Sequence, residues 1–166
     1  MADFSVAIRT YNRADRLPGL LSALRSQTHT QSFTWDIVIV DNNSTDNSVE
    51  VIRQLAPSLL VPVRYCQEYR QGAAFARRTA ILKATSPLVG FLYDDNRPAA
   101  NWVSAAYNFA MAHPYAAAIG SQIHGRYETA PPQRFERIAG FLPVIERKRD
   151  VCFTQGDRAK SNLVPP

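Results

Sequence analysis

Trp35-Asp36-Ile37-Val38-Ile39-Val40-Asp41-Asn42-Asn43-Ser44-Thr45-Asp46 decides the fold class. Its first half is short, apolar and β-branched, the pattern of a strand covered on both faces in a parallel sheet. It ends abruptly in turn formers and helix N-cap residues. Val49, Ile52 and Ala56 then carry a helical stripe that stops at Pro57. Strand, polar turn and helix in that order make half of a βαβ unit.

The same grammar continues on both sides. Upstream, Phe4 to Ile8 is a β-prone run that breaks at Arg9-Thr10-Tyr11-Asn12. Leu17, Leu20, Leu21 and Leu24 follow at the i, i+3, i+4, i+7 spacing of one helix face, with Asn12 or Asp15 placed to cap it. Downstream, strands are expected at Val61 to Cys66 and Leu88 to Tyr93, with a helix from Gly72 to Ala84 between them. Asn101 opens a helix through Ala112 that His113-Pro114 closes, and Ala116 to Ile119 reads as a fifth strand. This alternation predicts an α/β fold: a Rossmann-like, mostly parallel sheet with helices on both faces. After Gly120 the pattern weakens. Pro131-Pro132 and Pro143 interrupt it, a helix is expected over Gln133 to Leu142, and Thr154 to Pro166 shows no periodicity.

Composition narrows the function classes. The 166 residues suit one domain, and 46% hydrophobic with 20% charged residues is ordinary for a globular chain. No apolar stretch approaches a membrane span and no signal-peptide pattern opens the chain, so a cytoplasmic protein is expected. Cys66 and Cys152, like His29, His113 and His124, are too scattered for a zinc site or a disulfide framework. The net charge of +5 fits an anionic substrate, a membrane surface or nucleic acid. No base-stacking aromatic arrangement supports nucleic acid. Glu146-Arg147-Lys148-Arg149-Asp150 reads as a solvated face or as a contact to anionic lipid, the latter implying peripheral association with the inner face of the cell membrane.

Three strand ends carry polar clusters: Thr10-Tyr11-Asn12, Asp41-Asn42-Asn43-Ser44 and Asp94-Asp95-Asn96. In an open parallel sheet ligands gather outside the carboxyl ends of the strands, so the three can converge on one ligand. Tyr11 offers a stacking face and Asp41 an acceptor, a combination suited to a nucleobase. Adjacent carboxylates repel unless a cation lies between them, so Asp94 and Asp95 suit a sugar hydroxyl and a divalent metal on a diphosphate. Asp41, Asn43 and Ser44 read equally as a plain turn and helix cap, and Tyr11 alone as packing. The coincidence of all three clusters favours a site.

Three ordered segments, Val6-Ala7-Ile8-Arg9-Thr10-Tyr11-Asn12-Arg13, Ile37 to Asp46, and Phe91-Leu92-Tyr93-Asp94-Asp95-Asn96, resemble family 2 glycosyltransferases of the GT-A fold. Gln71-Gly72-Ala73-Ala74-Phe75-Ala76-Arg77-Arg78 is similar to the family's Gly-x-x-x-Ala-Arg-Asn helix start, with Arg78 where Asn is usual. The tail from Pro131-Pro132 through Arg137 to Leu142 resembles cyanobacterial polysaccharide-biosynthesis members. The resemblance implies inverting transfer of a sugar from a nucleotide-diphosphate donor, a UDP-sugar by preference, to a hydroxyl of a glycan or lipid-linked acceptor. It implies a nucleotide-binding core over 1–120 and, over 121–166, the start of an acceptor-side region cut short. It assigns Thr10, Tyr11, Asn12, Asp41, Asn43 and Arg77 to the nucleotide and Asp95 to Mn²⁺ or Mg²⁺. Tyr93 stands where many members have the acid that meets the ribose, leaving that contact to Asp94. The catalytic base is not identifiable: Glu128, Glu136, Glu146, Asp150 and Asp157 sit in no recognisable base motif. A nucleotide-sugar-binding module without independent catalysis is the alternative.

Overall fold

The computed structural model describes residues 2–127, 129–139 and 141. Two compact units divide it, Met1–Met111 and Ala112–Pro166. The first unit runs β1 (Phe4–Thr10), α1 (Leu17–Arg25), β2 (Trp35–Asp41), α2 (Ser48–Leu55), a 3₁₀ turn (Ala56–Ser58), β3 (Val63–Gln67), α3 (Ala73–Lys83), β4 (Leu88–Tyr93) and then all but the last residue of α4 (Trp102–Ala112). The strands form one fully parallel sheet in the order β3-β2-β1-β4. β1 therefore lies between β2 and β4, with Thr10 beside Asp41 and Arg9 beside Tyr93.

Every residue of β2 is buried, because helices cover both faces of the sheet at this strand. Alternation along the strands sends Phe4, Val6, Ile8, Ile37, Ile39 and Leu92 to one face. There they pack with the four α1 leucines, Ile52 of α2 and Val103 of α4. Ala7, Val38 and Val40 go to the other face, against Ala76 and Ala80 of α3. Each fully buried branched side chain on the larger face contributes about 1.5–3 kcal/mol. Gly90 is fixed by close approach: a Cβ there would lie 2.6 Å from Phe4 Cζ and 2.8 Å from Trp102 Cη2. At the amino-terminal edge of the sheet, buried Asp36 accepts from Ser5 Oγ at 2.6 Å and Thr85 Oγ1 at 3.0 Å and pairs with Arg64.

Two expectations are corrected. Ala116 to Ile119 form no strand: the run is rich in alanine, which disfavours strands, and no described strand pairs with it. Neither Asn12 nor Asp15 caps α1, whose N-cap is Arg16 with no side-chain cap bond. The division between units precedes residue 120, and 112–120 falls in the second. That unit contains the short helix α5 (Glu136–Ala139), within the longer helix expected there, and an edge-on contact of the Tyr127 and Phe135 rings at 5.2 Å. Leu142, the basic cluster 146–150 and the segment 154–166 lie outside the described residues.

Candidate functional site

Because β1, β2 and β4 are parallel neighbours in register, the loops that leave them emerge side by side. The β1 and β2 loops are braced against each other. Asn42 N–H donates to Thr10 O at 2.8 Å, and Asn12 N–H donates to Ser44 Oγ at 2.9 Å. Asn12 Oδ1 accepts from the Thr45 amide at 2.8 Å, and its backbone adopts φ 51°, a left-handed conformation that asparagine tolerates. Asn43, at φ 67°, makes the matching turn after β2. Asp46 joins in, accepting from Ala14 N at 3.1 Å and Ser48 N at 2.9 Å. Burial raises its pKa, and these bonds outweigh that, leaving the carboxyl below its ordinary value.

Asp41 is completely buried. Both of its oxygens accept from Ser44 N at 3.2 Å, and the Tyr65 hydroxyl approaches Oδ2 at 3.5 Å, the outer limit of a hydrogen bond. Partial burial and then the Asp41 charge push the Tyr65 phenol above its usual pKa. Asp41 thus makes the turn but caps no helix, since α2 takes Asn47 as its N-cap without a side-chain cap bond, and the carboxylate faces its own loop. Tyr11, by contrast, leaves 43% of its surface open at the strand tips.

Asp94 and Asp95 differ sharply. The Asp94 side chain is only 14% exposed, and its Oδ1 lies 3.9 Å from Arg13 Nε. Desolvation raises its pKa. The Thr10 hydroxyl, the Tyr11 amide and the Arg13 charge pull the other way, although buried Thr10 Oγ1 completes no hydrogen bond of ordinary geometry. Asp95 is exposed, and Asn96 Nδ2 donates to its Oδ1 at 3.3 Å. Asn96 closes the turn by accepting from Tyr93 N at 2.9 Å. A cavity of about 360 Å³ opens between these acids and the start of α1, lined also by Asp15, Arg16, Gly19 and Leu20. The larger groove, about 1010 Å³, lies at the opposite edge of the sheet beside Asp36 and Arg64, away from all these residues. Among the described residues no three acids, histidines or cysteines cluster as a self-sufficient metal cage. One open carboxylate beside a second fits a hard cation such as Mg²⁺ or Mn²⁺ that takes its other ligands from phosphates and water.

Arg77 is exposed on the second turn of α3, with its guanidinium 5.3 Å from the centre of the Tyr93 ring. Of the carboxylates considered as base, Glu128, Glu146, Asp150 and Asp157 lie outside the described residues, and Glu136 opens α5.

Sequence reasoning passed over Asn42 and Glu68. Buried Asn42 donates from Nδ2 to Glu68 O at 3.0 Å and Arg70 O at 2.7 Å, and its Oδ1 accepts from Gly72 N at 2.9 Å. It thereby fixes the loop that starts α3. Glu68 accepts from Arg70 Nε at 2.9 Å and Thr79 Oγ1 at 2.6 Å. The Arg70 side chain, then Thr79, holds its carboxyl far below the usual range. The signal for Asn42 was available in strand alternation, which turns it to the face opposite Asp41.

The family model of glycosyl transferase family 2 matches residues 5–163. The glycosyltransferase AglE of Haloferax volcanii is 31% identical over 99 residues, covering 60% of this chain and 32% of that protein. Validoxylamine A glucosyltransferase of Streptomyces hygroscopicus subsp. jinggangensis is 26% identical, covering 98% of this chain and 41% of that protein. This chain therefore spans about a third to two fifths of these relatives. Among solved structures, Staphylococcus aureus TarS residues 1–349 superpose with a TM-score of 0.67 at 22% identity, over 79% of this chain and 38% of that one, which shows a shared fold. The mannosyltransferase PcManGT of Pyrobaculum calidifontis gives a TM-score of 0.58 at 26% identity, over 70% and 36%. With its parallel α/β core and its family motifs in register along one sheet edge, the chain belongs to glycosyl transferase family 2.

Proposed function

We infer that this chain binds a nucleoside-diphosphate sugar at the carboxyl ends of β1, β2 and β4, as the donor half of an inverting, metal-dependent transfer to an acceptor hydroxyl in polysaccharide or glycoconjugate synthesis. The observation that carries this is the convergence of the 10–13, 41–46 and 94–96 loops from three adjacent parallel strands, the first two cross-braced by Asn12, Ser44 and Asp46. Two relatives support it. PcManGT was solved with GDP-Man and Mn²⁺. WfgD of Escherichia coli, 28% identical over 92 residues, is named a UDP-Glc:alpha-D-GlcNAc-diphosphoundecaprenol beta-1,3-glucosyltransferase, which favours a UDP-sugar and a lipid-linked acceptor. An acceptor of that kind lies at the inner face of the cell membrane. No helix among the described residues is long and apolar enough to cross a membrane.

In this assignment the open ring of Tyr11 stacks on the base, with Thr10, Asn12 and Asn43 shaping the pocket. A base N–H displaces the long Tyr65 contact to reach Asp41. Asp94 accepts from a ribose hydroxyl, and Arg77 faces the nucleotide from α3. Asp95 would hold the divalent cation, which supplies Lewis-acid stabilisation of the departing nucleoside diphosphate. Calorimetric titration with UDP and GDP, with and without Mn²⁺, tests the assignment. One of the two should bind, more tightly with Mn²⁺, and Asp95→Ala should abolish the metal enhancement. Failure of both nucleotides in the presence of Mn²⁺ would sink it.

A further inference from the structure

We propose that Arg9, together with Arg77, forms a metal-independent clamp for the phosphate oxyanions of a nucleoside diphosphate, with Tyr93 as its platform. The inference rests on the donor-site assignment above and adds residues and a binding mode to it.

Arg9 and Tyr93 are register partners on β1 and β4, and the Arg9 guanidinium lies 4.5 Å from the centre of the Tyr93 ring. Arg77 reaches the same ring from α3 at 5.3 Å. Two guanidiniums gathered on one ring repel each other, and the ring offers each only a modest attraction. Among the described residues neither has a carboxylate partner; the ion pairs of this unit belong to Arg13, Arg16, Arg64 and Arg70. Arg9 Nε is moreover buried without a hydrogen-bond acceptor. Paired cations with vacant donors call for an anion, and planar guanidinium forks match phosphate oxygens in a bidentate fashion.

Position identifies which anion. Arg9 directly precedes Thr10-Tyr11, and Tyr93 directly precedes Asp94-Asp95. Alternation puts Arg9 and Tyr93 on the α3 face of the strand tips, while Thr10 and Asp94 leave from the other face. A ligand laid across the tips meets carboxylates on one side and guanidiniums on the other. A diphosphate needs cationic partners, and Arg9 and Arg77 provide them without a metal ion. No acidic residue in the first turn of α3 competes.

The test is titration of the full chain with UDP, GDP, the matching nucleosides and inorganic pyrophosphate, in EDTA and in Mn²⁺. In EDTA the wild type should retain nucleoside-diphosphate binding. Arg9→Met should weaken it about ten- to a hundredfold, the loss expected for a charge-assisted hydrogen bond, and abolish competition by pyrophosphate. Nucleoside affinity should be unchanged. Exposed Arg77→Met, which leaves the core untouched, should show the same selective loss, and Arg9→Lys an intermediate one. Nucleotide binding that vanishes in EDTA but persists in Mn²⁺ overturns the clamp and leaves the donor site standing. Equal diphosphate affinity of wild type and both methionine variants does the same. If the wild type binds neither nucleotide in either buffer, both assignments fall.

Discussion

Asn42→Ala should detach the start of α3 from the sheet. The side chain makes three hydrogen bonds, to the carbonyls of Glu68 and Arg70 and from the amide of Gly72, at 2.7–3.0 Å. Asn42 is 5% exposed, so water cannot simply replace it. At roughly 0.5–1.5 kcal/mol for each bond, with an added penalty for the buried groups left unpaired, the expected cost is about 2–4 kcal/mol. With a urea m-value of about 2 kcal/mol/M, the midpoint should fall by about 1–2 M at unchanged slope. Asn42→Asp makes the reasoning sharper. Its carboxylate can still accept from Gly72, but it loses both donors and sets a negative charge against two carbonyl oxygens, so it should cost at least as much as alanine. Far-UV circular dichroism in urea reads both variants. A cost below about 0.5 kcal/mol for alanine, or an aspartate variant as stable as wild type, would show that the loop is held by other means.

Gly90→Ala forces a methyl into Phe4 and Trp102 and should cost about 1–3 kcal/mol, read as a lower thermal midpoint; an unchanged midpoint would show that the rings yield freely. Tyr11→Ala removes a largely open ring, so stability should stay within about 0.5 kcal/mol while nucleoside affinity falls about five- to a hundredfold in titration. Glu68 titrates below its ordinary value of 4.5 in the folded state. Its ionised form therefore stabilises the fold fully above pH 4.5, and that contribution is lost as pH falls toward the folded value. Glu68→Gln should melt earlier than wild type at pH 7, and the difference should shrink below about pH 4.5. A constant difference down that range would contradict the sign.

The fold was legible where burial leaves a period in the chain. β2 is apolar from Ile37 to Val40 because helices cover it on both sides, and the α1 leucines are spaced by the helix they form. Ala116 to Ile119 misled because apolarity makes a strand only when a neighbour completes the ladder, and neighbours are not written locally. The candidate site was legible as three polar strand ends, which parallel register brings side by side. Alternation sets Asn42 on the face opposite Asp41, but its partners were hidden because they come from a loop distant in sequence. The inward turn of Asp41 was hidden too, because its bond from the Ser44 amide of its own loop shows only in three dimensions.

The strand order also schedules assembly. Phe4 pairs with Trp35 on one side and with Leu88 on the other, so the two seams of β1 close loops of very different length. The longer closure costs about 0.9 kcal/mol more chain entropy, and on the ribosome its partner strand emerges last. The half that carries Tyr11 and Asp41 can therefore be built while Asp94 and Asp95 are still unsynthesised. A chain stopped between Gln67 and Leu88 would hold one wall of the pocket and leave β1 with a bare edge, open to pairing with another molecule.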